Sequence, residues 1–189
     1  MLKIKVNDDI LLVKIRMKSA ATIFKSVEKS RKYLEEWMPW VTGTRKIEDV
    51  RDFIRMVNRV DCIKKDMVFE IWHKDNFAGI ISLKEIDLAN QKSEIGYWLT
   101  EKYSGRGIMS RSCEALIKFA FEELKLNKVF VKCGVDNIRS YNIPKQLKFT
   151  FEGVERDGEY LHNRFMDLKV YSLLRKEWLK QNMLNKKLK

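Results

Sequence analysis

Apolar residues recur along this chain with two different periods, and the switches between them mark out its elements. Residues 10–15 form a short unbroken apolar run fit for a strand. From Ser19, a candidate helix cap, Ile23, Phe24, Val27, Leu34 and Trp37 follow at helical spacing to Met38-Pro39, because the residue before proline avoids helical φ/ψ. A second helix fits 46 to about 62, with Ile47, Val50, Phe53, Ile54 and Val57 on one face. Strands are expected at 67–72, 77–86 and 94–100. The connections Lys74-Asp75-Asn76 and Ala89-Asn90-Gln91 are short enough to force antiparallel neighbours, a meander. The period then becomes helical again: Met109, Cys113, Leu116, Ile117, Ala120, Phe121 and Leu124 share one face, with Arg111, Glu114, Lys118 and Glu122 opposite. Residues 129–135 read as a strand covered on both faces. A helix between two strands implies a right-handed crossover and a parallel pair. Another short helix is expected at 137–147. A closing antiparallel hairpin follows, 149–160 and 165–174, turning at Leu161-His162-Asn163. The fold class is α/β, or α+β in stricter terms: a mixed, mostly antiparallel central sheet with helices on both faces.

Between the third meander strand and the long helix, Glu101-Lys-Tyr-Ser-Gly-Arg-Gly-Ile-Met109 makes a glycine-punctuated turn. Gly105 and Gly107 suit a sharp turn that something approaches closely. The N-terminus of the helix that follows carries free N–H groups and a positive dipole end. With Arg106 beside it, this is an anion site, for which phosphate is the usual guest. The parallel pair opens a crevice at its C-terminal ends, where ligands of open α/β sheets sit.

Composition narrows the class. The chain has 189 residues, enough for one full domain, expected at 1–178 with a basic tail at 179–189. No stretch approaches 18 uninterrupted apolar residues, and the N-terminus has no signal-peptide pattern, so a cytoplasmic protein without membrane association is expected. Cys62, Cys113 and Cys133 have no metal-ligand spacing with His73 or His162, so no metal is expected. Lysine and arginine outnumber acidic residues 38 to 26, a net charge of +12. Six basic residues against Glu177 in 175–189 supply +5 of it. A solvated lysine-rich surface accounts for most of that charge, and no RNP-like aromatic motif accompanies it, which argues against direct nucleic-acid binding.

Four strings in order, Trp37-Met-Pro-Trp40, Ile95-Gly-Tyr-Trp-Leu99 running into Ser104-Gly-Arg-Gly-Ile-Met109, Asn137-Ile-Arg-Ser140 with Leu147-Lys-Phe149, and Glu152-Gly-Val-Glu-Arg-Asp-Gly-Glu-Tyr160, carry a resemblance to the GNAT acetyltransferase superfamily. It covers about residues 8 to 178. Within that superfamily the chain is similar to the branch of ribosomal-protein N-terminal alanine/serine acetyltransferases. The chain departs from the superfamily pattern at Ser104 (Gln or Arg there), Met109 (Gly or Ala) and Lys148 (Gly).

The resemblance implies an acyl-CoA N-acyltransferase fold, acetyl-CoA as co-substrate and a primary amine as acceptor, in particular the N-terminal α-amine of a ribosomal protein. It implies that Ser104, Gly105, Arg106, Gly107, Ile108 and Met109 hold the pyrophosphate, while Trp98, Leu99 and Thr100 pair with the pantetheine arm, which Asn137 also contacts. An N–H near Leu99 would bind the oxyanion, a donor typically worth about 3–4 kcal/mol. Ser140 would protonate the departing thiolate, Glu159 would take the amine proton, and Trp37 and Trp40 would wall the acceptor groove. An α-amine has a pKa about 2.5 units below that of lysine, which spares it roughly 3.4 kcal/mol of barrier at a weakly activated site. Two alternatives stand: a polyamine or aminoglycoside acceptor, favoured by Glu35, Glu36, Glu48, Asp49 and Asp52 near the groove, and a non-catalytic RNA- or ribosome-binding module. Both a monomer and a homodimer are compatible with the sequence.

Overall fold

The computed structural model describes residues 2–59 and 65–187. A short strand β1 (Lys3–Lys5) pairs with β2 (Ile10–Lys14). Helices α1 (Ala20–Lys29), α2 (Arg31–Glu35), α3 (Trp40–Gly43) and α4 (Ile47–Val57) follow, then the meander β3 (Lys65–His73), β4 (Asn76–Asp87) and β5 (Lys92–Leu99). Helix α5 (Ile108–Glu122) crosses to β6 (Lys128–Gly134), α6 (Ile138–Gln146) leads to the hairpin β7 (Thr150–Leu161) and β8 (Arg164–Leu174), and α7 (Arg175–Lys187) ends the described chain. The strands lie in the order β1-β2-β3-β4-β5-β6-β8-β7, and every pair is antiparallel except β5–β6. The meander, the parallel crossover and the closing hairpin are where the hydrophobic pattern puts them.

Alternation along the strands separates two cores. Phe69, Ile71, Ile81, Leu83 and Ile95 face α5, whose Cys113, Leu116, Ile117, Ala120 and Phe121 cover them. Val68, Phe77 and Ile80 face the other way, under Ile23, Val27, Leu34, Val41, Val50 and Ile54 of α1–α4. Both two-residue hairpin turns are left-handed, Lys74-Asp75 at φ +48° and +62° and His162-Asn163 at +52° and +59°. Such turns match the right-handed twist of the strands that they join.

Three features differ from the sequence reading. The helix expected from Ser19 to Trp37 breaks at Ser30, and Ser19 makes no side-chain cap bond. Arg31 causes a folded-back turn: its guanidinium donates to Val41 O and Thr44 O (both 2.6 Å) and to Glu28 and Glu35, so the chain beyond Pro39 returns over α2. Strand β1 was not expected, because Lys3-Ile-Lys5 is too short to show a period. Helix α7 runs through position 178 into the lysine-rich segment, anchored by Trp178 against Phe121 with ring centroids 5.5 Å apart. Cys62 lies outside the described residues.

Candidate active site

The parallel pairing of β5 with β6 stops at Glu94↔Phe130, although both strands continue. The two therefore part in a V. On its other side β5 stays paired with β4 as far as Gly79↔Leu99, and the Thr100 N–H donates to Ala78 O at 2.9 Å. Backbone polar groups alternate sides along a strand, so those of Tyr97 and Leu99 turn away from β4 and into the V.

Beyond β5 a single 3₁₀ turn, Glu101–Tyr103, is pinned by the buried Tyr103. Gly105 and Gly107 then take left-handed conformations at φ +73° and +67°, which glycine reaches without strain, and Gly107 caps α5. A Cβ at Gly105 would meet nothing within 4 Å, so the turn leaves open space over the helix end. The first N–H groups of α5 have no intrahelical acceptor and point into that space. Arg111 braces the turn by donating to Arg106 O at 3.0 Å.

Across the V stands α6. Asn137 caps it, its side-chain oxygen accepting the Ser140 N–H at 3.0 Å. With the capping role filled, the Ser140 hydroxyl is available: it sits 3.4 Å from the Tyr97 hydroxyl, which donates to Ser140 O at 3.0 Å. Burial holds the Tyr97 phenol well above its ordinary pKa, so Tyr97 is a neutral donor here. Cys133, at the end of β6, lies beside Ser140. Burial pushes its thiol up to about 11, against the pull of Ser140 and Lys169.

These elements enclose a cavity of about 610 Å³. Ser104, Gly105, Gly107, Ile108 and Met109 line one side, Trp98 and Leu99 the floor, Asn137 and Ser140 the other side, and Trp37 the far wall. Four expected site residues do not line it. Thr100 is buried and held by β4, and Arg106 is exposed outside the turn. Trp40 is 40% exposed and packs at a tilt against Trp98, with ring centroids 5.7 Å apart. Glu159 stands on β7 opposite Met166, half-buried on the Trp37 side of the sheet. Burial raises its carboxyl above the ordinary value, Lys84 pulls it back, and Glu94 adds to the rise.

The sequence missed Tyr97, Tyr33 and Arg139. Tyr33 of α2 donates to Ser104 Oγ at 3.2 Å, and the Arg139 guanidinium lies 6.0 Å from the Tyr33 ring centre, so the three span the cavity. Arg139 is the one cationic side chain among the described residues lining it. Its place inside the Asn137-Ile-Arg-Ser140 string was the available signal.

An adenine nucleotide on a thioester arm fits this shape: a helix N-terminus with an open glycine turn for the pyrophosphate, a free strand edge for the arm's amides, and a hydroxyl where the thioester would end. Comparison with known proteins agrees. Residues 9–150 match the family described as acetyltransferase (GNAT) domain. A protein of Bacillus subtilis (strain 168) provisionally named ribosomal N-acetyltransferase YdaF is 32% identical over 179 residues, 92% of this chain and 96% of that one. The ribosomal-protein-serine acetyltransferase of Escherichia coli (strain K12) is 28% identical over 172 residues, covering 89% and 94%. Among solved structures, the ribosomal L7/L12 alpha-N-protein acetyltransferase RimL in complex with coenzyme A superposes with a TM-score of 0.88 at 25% identity, over 93% of this chain and 99% of that one. The chain therefore belongs to the GNAT acetyltransferase family as an acetyl-CoA-dependent N-acetyltransferase.

Proposed function

We propose that the protein acetylates the N-terminal α-amine of a protein, with a ribosomal protein as acceptor in the cytoplasm. The observation that carries this reading is the state of the acidic residues around the groove. A polycation site needs several free carboxylates, but of the five acidic residues named above Glu35 is tied to Arg31, Glu48 to Arg51 and Asp52 to Arg55, and Asp49 caps α4 through the Arg45 and Lys46 N–H groups, which leaves Glu36 alone. A cavity walled by Tyr33, Trp37, Tyr97 and Trp98, with Glu101 as the one acidic residue among the described residues lining it, suits a single amine of modest pKa better than a polycation. The names of the two relatives with ribosomal substrates support the same class.

In this reading the pyrophosphate rests on the N–H groups of Gly107 to Met109, with Arg139 as counter-charge in the role first expected of Arg106. The arm pairs with the Tyr97 and Leu99 edge, and the Leu99 N–H stabilises the developing oxyanion. The amine, approaching between Trp37 and Trp98, gives its proton toward Glu159 and attacks the thioester carbonyl. The C–S bond then breaks, and Ser140 protonates the thiolate with Tyr97 behind it. Cys133 is no nucleophile: a thiol with pKa about 11 is almost entirely protonated at neutral pH, so transfer goes directly to the amine.

Mass spectrometry of Ser- and Ala-starting peptides, their N-blocked lysine counterparts and spermidine, each incubated with acetyl-CoA and the protein, tests the proposal. Acetyl groups on α-amines alone are expected. Acetylated spermidine with untouched peptides would overturn it.

A further inference from the structure

We propose that Gly79 of β4 is a positioning residue for acetyl transfer, because its missing side chain sets where the Leu99 N–H stands at the open end of the V. The inference rests on the reading of that N–H as the oxyanion donor. Gly79 and Leu99 are cross-strand partners, at the end of a β4–β5 register that runs without a break from Lys84↔Glu94. The next residue, Thr100, donates its N–H to Ala78 O. Gly79↔Leu99 is therefore a pair without mutual hydrogen bonds, the closely spaced kind. Here the approach is closer still. A Cβ on Gly79 would overlap Trp98 O and stand 2.8 Å from Leu99 Cα. Both atoms belong to the backbone of β5, so neither can swing aside as the end of a side chain would. The φ of Gly79 is not left-handed, and so it is this close approach, not backbone conformation, that requires glycine.

A bulge in β4 accompanies this approach. Against β3 the register moves from Ile71↔Gly79 to Trp72↔Phe77, which leaves Ala78 as an extra residue. Side-chain alternation slips at the same point. Ile81 packs in the core under α5, whereas Phe77, an even number of residues away, packs in the core under α1–α4. A bulge bends its strand and tightens its twist, and this one lies beside the last paired residues of β5. On its other side β5 has no strand partner beyond Glu94↔Phe130. Of the two neighbouring strands, then, β4 alone holds the Leu99 backbone, and it does so at Gly79. A Cβ there would push Leu99 off β4 and into the V, which displaces its N–H and narrows the space left for the thioester.

Gly96→Ala is the matched control for Gly79→Ala. A Cβ on Gly96 of β5 would come 2.6 Å from Lys84 Cδ, but that atom is part of a flexible stem that can move. The two variants make the same chemical change and differ in whether backbone must yield. Three quantities should be measured in each, with thermal melts confirming folding: the single-turnover rate on a Ser-starting peptide, coenzyme A affinity by calorimetry, and the Leu99 amide signal. Carbonyl-¹³C tryptophan with ¹⁵N leucine selects that signal, since Trp-Leu occurs only at 98–99 and 178–179. Gly79→Ala should move the Leu99 signal and lower the rate about 100-fold, as loss of one oxyanion donor does, while coenzyme A affinity falls by less than about fivefold. Gly96→Ala should stay within a few-fold of wild type in rate and affinity. An unmoved Leu99 signal in Gly79→Ala would overturn the inference, and so would equal losses in the two variants. A moved signal with an unchanged rate would overturn it differently, by removing Leu99 as the oxyanion donor. If Gly79→Ala does not fold, a crystal structure of the wild-type protein with coenzyme A decides the matter. The Cβ position of Gly79 should stay closer than 3.0 Å to Trp98 O in that complex, and a wider gap would overturn the inference.

Discussion

The cofactor side of the cleft is made of backbone, and the acceptor side is made of side chains. On the first, Gly105 and Gly107 set the turn, the end of α5 presents its N–H groups, and the strand edge at Tyr97 and Leu99 faces an open V. On the second, Tyr33, Trp37 and Trp98 come from α2, the turn after it and the meander, and only tertiary packing brings them together. A backbone cradle tolerates side-chain variation, which explains how Ser104 and Met109 can depart from the family pattern without loss of the site. A side-chain cluster depends on each member.

The largest test of that contrast is chemical. Ser140→Ala removes the hydroxyl proposed to protonate the thiolate and should lower the single-turnover rate about 100-fold with little change in acetyl-CoA affinity. A rate within a few-fold of wild type would reduce Ser140 to a helix residue. On the backbone side, Gly107→Val forces a β-branched residue to φ +67° and a Cβ to within 2.9 Å of the Arg111 guanidinium. Coenzyme A binding measured by calorimetry should weaken by well over tenfold (about 1.4 kcal/mol or more) in a folded protein.

Glu159→Gln sharpens the acceptor side. Near pH 6.5 an α-amine of pKa about 7.8 is only about 5% neutral, so loss of the base should cost up to roughly twentyfold in kcat/KM there and little above about pH 8.5. Burial raises the Glu159 pKa, so the wild-type carboxyl becomes protonated at a higher pH than a free glutamate would, and the two rate–pH curves should also converge on the acid side. Parallel curves would mean that Glu159 places the peptide without taking its proton. A smaller effect separates the two arginines. Arg139→Ala should weaken coenzyme A binding about fivefold at low salt, as a partly exposed charge does, and Arg106→Ala by less. The smallest prediction concerns Lys148, which occupies φ +59° where the family has glycine. Lys148→Gly should raise the unfolding free energy by about 1 kcal/mol in denaturant titrations without touching catalysis.

Much of the frame was legible because its signals are local. A period of two marked β3 to β5, a period of 3.6 marked α5, and short turns set the meander. Glycines beside a helix start located the left-handed turn that opens α5 without any tertiary information. The break at Ser30 was hidden, because its cause is a long-range bond from Arg31 to carbonyls at positions 41 and 44. Tyr97 shares its strand face with Ile95, which marks it as core in the sequence, and the V that gives its hydroxyl access to Ser140 exists only once β6 diverges.

What the sequence determined by itself was the fold class, the order of the meander, crossover and closing hairpin, and the position of the glycine turn before α5, all products of short-range periodicity, steric limits and backbone freedom. Tertiary structure alone decided which polar groups meet. Tyr33 lies 71 positions from Ser104 and Tyr97 lies 43 from Ser140, so their hydrogen bonds depend on the folded-back turn after α2 and on the divergence of β6 from β5. Hydrogen bonds and Coulomb energies follow distance through space, which is not written in the spacing of residues along the chain.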